Sequence, residues 1–214
     1  MKYNNILFDL DGTLTDPKVG ITKSVAYALK HFGIEVLDLD SLCKFIGPPL
    51  SYSFAKFYGF DKDQCDKAIE IYRSYFSVTG KFENVVYDGI EDMLKSLKNR
   101  GYKLFVATSK PELFAVDILK HFGLYKYFER VCGIPLSRED MTKAQVIEKV
   151  INEYSLDKRE CVMVGDRHYD ADGAKDNGID CIAVLYGYGS AQEFTKCSVN
   201  AILNTVEDLA KYFE

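Results

Sequence analysis

The chain has 214 residues, of which 47% are hydrophobic and 28% are charged, and its net charge at neutral pH is -5. This composition is typical of a globular protein with one large domain, or one domain carrying an insertion, and the acidic charge argues against nucleic acid as the main partner. The sequence shows no signal-peptide pattern, no apolar stretch of membrane-spanning length and no zinc-binding cysteine spacing, so we expect a cytoplasmic protein with no membrane partner.

The first predicted element is a short strand that ends in two aspartates. The apolar run 5–8 is followed by Asp9, Leu10, Asp11 and Gly12. Side chains of a strand alternate between its two faces, so Asp9 and Asp11 leave the strand end on the same side, where two carboxylates repel each other unless a cation lies between them. Taken alone, the pattern is equally typical of a strand entering an Asp-Gly turn.

The segment 17–81 shows only helical patterns. Asp16 and Pro17 predict a helix start with Asp16 as the N-cap, and Gly33 predicts its end. Three more helices are predicted: a short one at 39–45, one that follows the break at 47–49 and runs to about residue 58, and a longer one with Asp61 as its expected N-cap.

Strands and helices alternate from about residue 82. A capping-box-like pattern at 88–91 predicts a helix start. The other predicted strands lie at 103–107, near 131, at 161–164, at 181–185 and at 201–203, with helices at 111–123, at 143–154 and from 206. This alternation predicts an α/β fold with a doubly wound parallel sheet, formed by 1–16 and 82–214, and 17–81 is then an all-helical insertion after the first strand.

Polar residues follow the predicted strands where a doubly wound sheet binds its ligands. They are Asp9 and Asp11, the run 108–110 and the run 165–170, while Lys143 lies in a predicted capping box, at a helix start that disfavours a cation. If Asp9, Asp11, Asp166 and Asp170 converge, their charge requires a divalent cation, and ligands that are all oxygen favour Mg²⁺. The alternative is a set of unrelated aspartates in surface loops.

These residues resemble, in order, the four motifs of the haloacid dehalogenase-like hydrolase superfamily. The motifs are Asp9-Leu10-Asp11-Gly12-Thr13, Thr108 after an apolar strand, Lys143, and Gly165-Asp166 with Asp170. The helical segment resembles the cap domain of the phosphoglycolate phosphatase and 5′-nucleotidase branch, and the likeness covers essentially the whole chain. The resemblance implies a Rossmann-like core with a cap at 17–81, and a Mg²⁺-dependent phosphatase.

The resemblance also implies a role for each motif residue. Asp9 is expected to be the nucleophile that forms an aspartyl-phosphate, and Asp11 the general acid and base. Thr108 and the backbone N–H of Ser109 are expected to hold phosphoryl oxygens, together with Lys143. The Mg²⁺ ligands are expected to be the side chains of Asp9 and Asp166 and the main-chain carbonyl of Asp11, with Asp170 orienting a metal-bound water or Lys143.

Other residues are weaker candidates for contact with the substrate. Gly47 and Pro48 lie between two helices of the insertion, and a simple helix break explains them equally well. Lys110, Arg167 and Tyr188 could line the same pocket or be ordinary surface side chains.

The sequence leaves the substrate open between a phosphoglycolate-like ester and a nucleoside 5′-monophosphate. An acid at Asp11 favours phosphate esters over organic halides, because a halide leaves without a proton. The alternatives are a phosphomutase similar to β-phosphoglucomutase, a phosphonatase with an imine-forming lysine, and a non-enzymatic protein that binds a phosphorylated metabolite. A monomer and a dimer both remain open.

Overall fold

The computed structural model describes residues 2–137 and 141–214 and divides the chain into two compact units. The core unit consists of 1–16 and 86–214, and the helical unit consists of 17–85. None of the helices in the described part of the chain has the length and apolar character needed to cross a membrane.

Within the described residues, six of the eight strands form one parallel sheet. The strands in chain order are β1 (Asn5–Phe8), β2 (Thr15–Asp16), β3 (Val85–Val86), β4 (Lys103–Pro111), β5 (Arg130–Ile134), β6 (Cys161–Gly165), β7 (Asp180–Val184) and β8 (Ala201–Leu203). The sheet order is β5-β4-β1-β6-β7-β8, and β2 and β3 form a separate pair. The predicted doubly wound sheet is confirmed, and β1 lies between β4 and β6, where its carboxyl end meets theirs.

Nine helices are present in the described residues. In chain order they are α1 (Lys18–His31), α2 (Leu50–Tyr58), α3 (Lys62–Phe76), α4 (Ile90–Asn99), α5 (Glu112–His121), α6 (Lys143–Glu153), α7 (His168–Asn177), α8 (Ala191–Phe194) and α9 (Val206–Tyr212). The predicted short helix at 39–45 is a 3-10 helix, Leu39–Phe45.

The apolar residues of β1 divide between the two faces of the sheet. Ile6 and Phe8 belong to a buried cluster that includes apolar residues of α4, α5 and α9, whereas Leu7 belongs to a second cluster with α6 and α7. All three side chains are fully buried, and each contributes about 1.5–3 kcal/mol through the hydrophobic effect. Burial on both faces holds β1 rigidly and fixes the position of the aspartates that follow it.

The helical unit has an interior of aromatic and aliphatic side chains. The rings of Phe54 and Phe60 stack with their centroids 5.8 Å apart, and Phe45 contacts Phe54 edge-on at 5.1 Å. The inner face of α3 buries Ala68, Ile69, Tyr72 and Phe76. The predicted cap of α3 is confirmed: the Asp61 carboxylate accepts from Gln64 N, and the Gln64 side chain accepts from Asp61 N.

Two of the predicted caps are wrong, and the helices α7 and α8 were not predicted. Pro17, not Asp16, is the N-cap of α1, and Asp16 belongs to β2, where its carboxylate accepts a hydrogen bond from the Tyr188 hydroxyl. The helix α4 has Gly89 as its N-cap, in a left-handed conformation and with no side-chain cap. The helix α7 buries the small Ala171 and Ala174 beside the polar Asp170 and Asn177, so its sequence lacks an apolar helical pattern.

Candidate active site

The loop after β1 brings Asp9 and Asp11 to the carboxyl edge of the sheet. Asp9 N donates to Val164 O at 2.9 Å, which extends the pairing of β1 with β6 by one residue. Leu10 O then accepts from the amides of Leu14 and Thr15 and closes a tight turn. Gly12 has φ +81°, and a Cβ at this position would lie 2.2 Å from Asp166 Oδ2. A glycine is therefore required for the turn and for the close approach of Asp166.

Lys143 forms the ionic centre of the site. Its ammonium lies 2.8 Å from Asp9 Oδ1 and 2.9 Å from Asp170 Oδ1, and it donates to Ala107 O at 3.1 Å. Burial alone would lower the pKa of Lys143, but the charges of Asp170 and Asp9 raise it above its ordinary value. Lys143 is therefore a permanent cation, and the structure brings it directly beside the predicted nucleophile.

The predicted capping box explains how a lysine reaches this position. The Thr142 hydroxyl accepts from Gln145 N, and the Gln145 side chain accepts from Thr142 N, so α6 begins at Lys143. The positive end of the helix dipole disfavours a cation here, but two buried carboxylates outweigh that effect. Gly173 of α7 allows the close packing, since a Cβ there would lie 3.0 Å from Lys143 Cγ.

Three aspartates form an acidic cluster that could hold a metal ion. Carboxylate oxygens of Asp9, Asp166 and Asp170 all lie within 4.8 Å of one another. Burial raises the pKa of Asp166, and the charges of Asp170 and Asp9 raise it further. Burial also raises the pKa of Asp170, to about 6, although Lys143 opposes this shift. Three carboxylates facing one ammonium leave an excess negative charge, so the donor set suits a hard divalent cation.

The loop after β7 holds Asp166 in place. Tyr188 N donates to Asp166 Oδ2 at 2.8 Å, and the Thr13 hydroxyl lies 3.5 Å from Asp166 Oδ1. A Cβ at Gly187 would lie 2.5 Å from Asp166 Cβ, and one at Gly189 would lie 1.8 Å from Asp166 O. The glycines of this loop therefore allow its backbone to approach Asp166 and to donate a hydrogen bond to it.

Lys110 and Thr108 lie at the end of β4, beside Asp11. The Lys110 ammonium forms a hydrogen-bonded ion pair with Asp11 Oδ2. Burial raises the pKa of Asp11, and Lys110 opposes this shift. The buried Thr108 hydroxyl accepts from Lys110 N at 3.2 Å, which leaves its own hydrogen for donation to another group. The sequence left Lys110 open between a residue that lines the pocket and an ordinary surface side chain; the structure buries it, and the sequence gave no sign of its pairing with Asp11.

Arg167 belongs to a charged cluster with Glu193 and His168. Arg167 Nε donates to Glu193 Oε1 at 3.1 Å, and the same oxygen accepts from His168 N at 2.8 Å. Burial would raise the pKa of Glu193, but the hydrogen bonds from His168 and the charge of Arg167 lower it. Glu193 thus holds the start of α7. The sequence analysis missed it, although Ser190 three residues earlier gave a capping-box pattern that could have indicated it.

The remaining predicted residues lie outside this network of contacts. Ser109 is half-buried in β4, next to Thr108. Gly47 has φ +103° and, with Pro48, separates the 3-10 helix from α2 within the helical unit. Their contact with a substrate stays a prediction.

The chain is similar to proteins of known family over most of its length. Residues 6–184 match the family model described as haloacid dehalogenase-like hydrolase. The chain is 47% identical over 193 residues to a protein of Pseudomonas aeruginosa named 5′-nucleotidase, and the match covers 90% of this chain and 87% of that protein. It is 36% identical over 206 residues to a Mycobacterium tuberculosis protein named tyrosine-protein kinase PtkA, covering 95% of this chain and 70% of that protein.

A solved structure shares the whole fold. A Clostridium acetobutylicum protein described as a predicted phosphatase superposes with a TM-score of 0.95 at 48% sequence identity, and the match covers 100% of this chain and 99% of that chain.

Proposed function

Because the chain belongs to the haloacid dehalogenase-like hydrolase family and is a phosphatase of that family, we propose that it hydrolyses a small phosphomonoester with Mg²⁺, through an aspartyl-phosphate on Asp9. The observation that carries the proposal is the position of the Lys143 ammonium, between Asp9 Oδ1 at 2.8 Å and Asp170 Oδ1 at 2.9 Å. It orients the Asp9 carboxylate and provides positive charge where a phosphoryl group would arrive.

In the proposed reaction Asp9 attacks phosphorus, and Asp11 gives its proton to the leaving oxygen. Lys143 and Leu10 N both bind Asp9 Oδ1, so we assign the attack to Asp9 Oδ2. Thr108 and the amide of Ser109 hold phosphoryl oxygens. Asp11 then takes a proton from water as the water oxygen attacks phosphorus, which releases phosphate and restores the Asp9 carboxylate.

The acidic cluster is the proposed Mg²⁺ site. The side chains of Asp9 and Asp166 and the main-chain carbonyl of Asp11 would hold the ion, and Asp170 would orient Lys143. Bound there, the ion would neutralise the carboxylates and the phosphoryl oxygens. Activity should therefore disappear with EDTA and return with added Mg²⁺.

A nucleoside 5′-monophosphate is the substrate class that we favour. The relative named 5′-nucleotidase supports this choice, because it is 47% identical over 90% of this chain. A phosphoglycolate-like ester is the second candidate, on the resemblance of the helical segment 17–81 to the cap of that branch. The two substrate classes differ in the size of the leaving group. Values of kcat/KM for a panel of nucleoside 5′-monophosphates and phosphoglycolate-like esters will therefore show which class the enzyme prefers.

The direct test is release of inorganic phosphate from this panel by the wild type and by Asp9→Asn. We expect Asp9→Asn to lower kcat by about 10⁴-fold or more, as for loss of other enzymatic nucleophiles. The matched control, Asp92→Asn, changes an exposed aspartate in the first turn of α4 and should leave kcat unchanged. Full activity of Asp9→Asn would refute the assigned nucleophile.

The same assay separates the alternatives. A phosphomutase would isomerise a sugar phosphate without releasing phosphate, and a phosphonatase would form an imine that borohydride traps. A binding protein would hydrolyse no ester in the panel. Since one relative is named a tyrosine kinase, transfer from ATP to a tyrosine peptide is measured in parallel.

A further inference from the structure

The side chain of Lys110 is enclosed almost completely by the core unit. It is 5% exposed, and its ammonium forms a hydrogen-bonded ion pair with Asp11 Oδ2. Among the described residues, the other carboxyl oxygen, Asp11 Oδ1, is buried and has no hydrogen-bond partner. Lys110 is therefore the group that fixes the orientation of the Asp11 carboxyl, and its charge lies where charge on Asp11 changes during the reaction.

An irregularity at the end of β4 directs Lys110 to this position. Pairing with β5 is regular up to Ala107, opposite Cys132, but the next pair is Pro111 with Ile134. Between these two pairs β4 runs on by four residues and β5 by only two, which is a β-bulge in β4. Such a bulge turns a side chain away from its regular direction. The Thr108 hydroxyl accepts from Lys110 N at 3.2 Å and stabilises the irregular segment.

Glycine in the neighbouring strand makes room for the irregular segment. A Cβ at Gly133 would lie 2.5 Å from Lys110 O and 2.7 Å from Glu112 Cα. The position of Lys110 therefore depends on local features of both strands as well as on its own side chain.

We propose that Lys110 is a positioning residue for proton transfer: it holds the Asp11 carboxyl and stabilises the carboxylate that remains after the proton has gone to the leaving oxygen. The inference rests on the proposed role of Asp11. As Asp9 forms its bond to phosphorus, the ester P–O bond breaks and its electron pair goes to the leaving oxygen, which takes a proton from Asp11 Oδ1, the carboxyl oxygen that Lys110 does not bind. Asp11 gains negative charge in this step, and the adjacent ammonium of Lys110 lowers the energy of that change.

The proposal predicts a defect that depends on the leaving group. An alcohol, such as the ribose hydroxyl of AMP, needs a proton as it leaves, whereas p-nitrophenolate leaves without one. We expect Lys110→Met to lower kcat/KM for AMP by about 100-fold and that for p-nitrophenyl phosphate by less than about threefold, since general acid catalysis contributes about 10²–10⁴. The ratio kcat/KM is the appropriate quantity because it excludes the later hydrolysis of the phosphoenzyme.

Matched variants separate this role from a structural one. Lys110→Arg keeps the positive charge, and its kcat/KM for AMP should be at least tenfold higher than that of Lys110→Met. Lys126→Met removes an exposed lysine that is paired with Glu91, and it should leave kcat/KM unchanged for both AMP and p-nitrophenyl phosphate. If Lys110→Met does not fold, as judged by circular dichroism, Lys110→Gln serves for the same comparison.

Each remaining outcome contradicts the proposal in a different way. Equal losses with both esters would mean that Lys110 binds the phosphoryl group or supports the fold, and no loss with either would mean that the pairing has no catalytic effect. Asp11→Asn is measured in parallel. If Asp11→Asn shows the leaving-group dependence and Lys110→Met does not, the inference about Lys110 fails alone; if Asp11→Asn lacks it, the proposed role of Asp11 fails.

Discussion

The core unit and the helical unit differ in what they bury. In the part of the core unit that the structure describes, five charged side chains are buried, which are Asp9, Lys110, Lys143, Asp166 and Asp170. The helical unit, all of which the structure describes, buries no Asp, Glu, Lys or Arg; its buried polar residues are Thr22, Ser24, Ser53 and Asn84. Burial of a charge costs several kcal/mol unless it is paired, so the two units obtain their stability differently.

The difference indicates where this protein accepts a cost for function. The helical unit packs aromatic side chains against one another, and each buried ring contributes to the stability of the fold. The core unit places like charges together near the end of β1, a strand buried on both faces, and compensates for them with Lys143 and Lys110. Removing one charged side chain of this site should therefore destabilise the protein more than removing a surface charge of the helical unit does.

The largest effect is expected from Lys143→Met. Removal of the ammonium leaves Asp9 and Asp170 buried without their cation, which should destabilise the metal-free protein by about 3–5 kcal/mol. Phosphatase activity should fall by about 10³-fold, because charge stabilisation of the phosphoryl group is lost. Urea unfolding in EDTA and phosphate release in Mg²⁺ measure the two effects.

Two control variants test whether the loss comes from the buried charges. Lys143→Met with Asp170→Asn removes one uncompensated charge and should regain part of the stability but none of the activity. Lys67→Met in the helical unit breaks an exposed pair with Glu70 and should cost less than about 0.5 kcal/mol. Similar losses of stability in Lys143→Met and Lys67→Met would contradict the view that only the core unit depends on buried, paired charges.

A smaller effect is expected from pH, through Asp170. Burial raises its pKa in the folded protein to about 6, against about 3.9 in the unfolded chain. Between these values the folded protein binds the proton more tightly than the unfolded chain does, so stability falls as pH rises through this window. We expect the metal-free protein to lose up to about 3 kcal/mol from this group between pH 4 and pH 6.

The measurement is urea unfolding in EDTA at pH values from 4 to 7, for the wild type and Asp170→Asn. The variant should lack the part of the pH dependence that Asp170 contributes, and Mg²⁺ should restore stability to the wild type at pH 7. Identical pH profiles for the two proteins would show that the Asp170 carboxyl is not the group that titrates.

The sequence predicted the elements of this site better than it predicted their contacts. The apolar run before Asp9 and the capping box at Lys143 are local patterns, and both lead directly to observed structure. The pairing of Lys110 with Asp11 depends instead on a shift in register between β4 and β5, and neither strand contains a local pattern that signals it. Long-range pairing therefore decides which lysine neutralises which aspartate.

The incorrect predictions have the same origin. Asp16 has the sequence context of an N-cap, but it pairs in a strand and accepts from Tyr188, which lies 172 residues away. The need for glycine at Gly187 and Gly189 is likewise visible only in the folded structure, where a Cβ at either position would lie within 2.5 Å of Asp166. Local propensity is overridden where distant segments meet at the site.

The smallest effect is expected at Ser53, in the helical unit. This residue tests directly whether the stability of that unit depends only on packing and on satisfied hydrogen bonds. Its hydroxyl is fully buried and has no hydrogen-bond partner in the described residues, so Ser53→Ala should leave stability unchanged or raise it by up to about 1 kcal/mol. Ser24 is the matched control: its buried hydroxyl donates to Gly20 O at 2.6 Å, and Ser24→Ala should cost about 1 kcal/mol. Urea unfolding of both variants decides the question. A loss above about 1 kcal/mol in Ser53→Ala would mean that this hydroxyl has a stabilising partner, such as a buried water, and the helical unit would then also contain a polar site that its stability depends on.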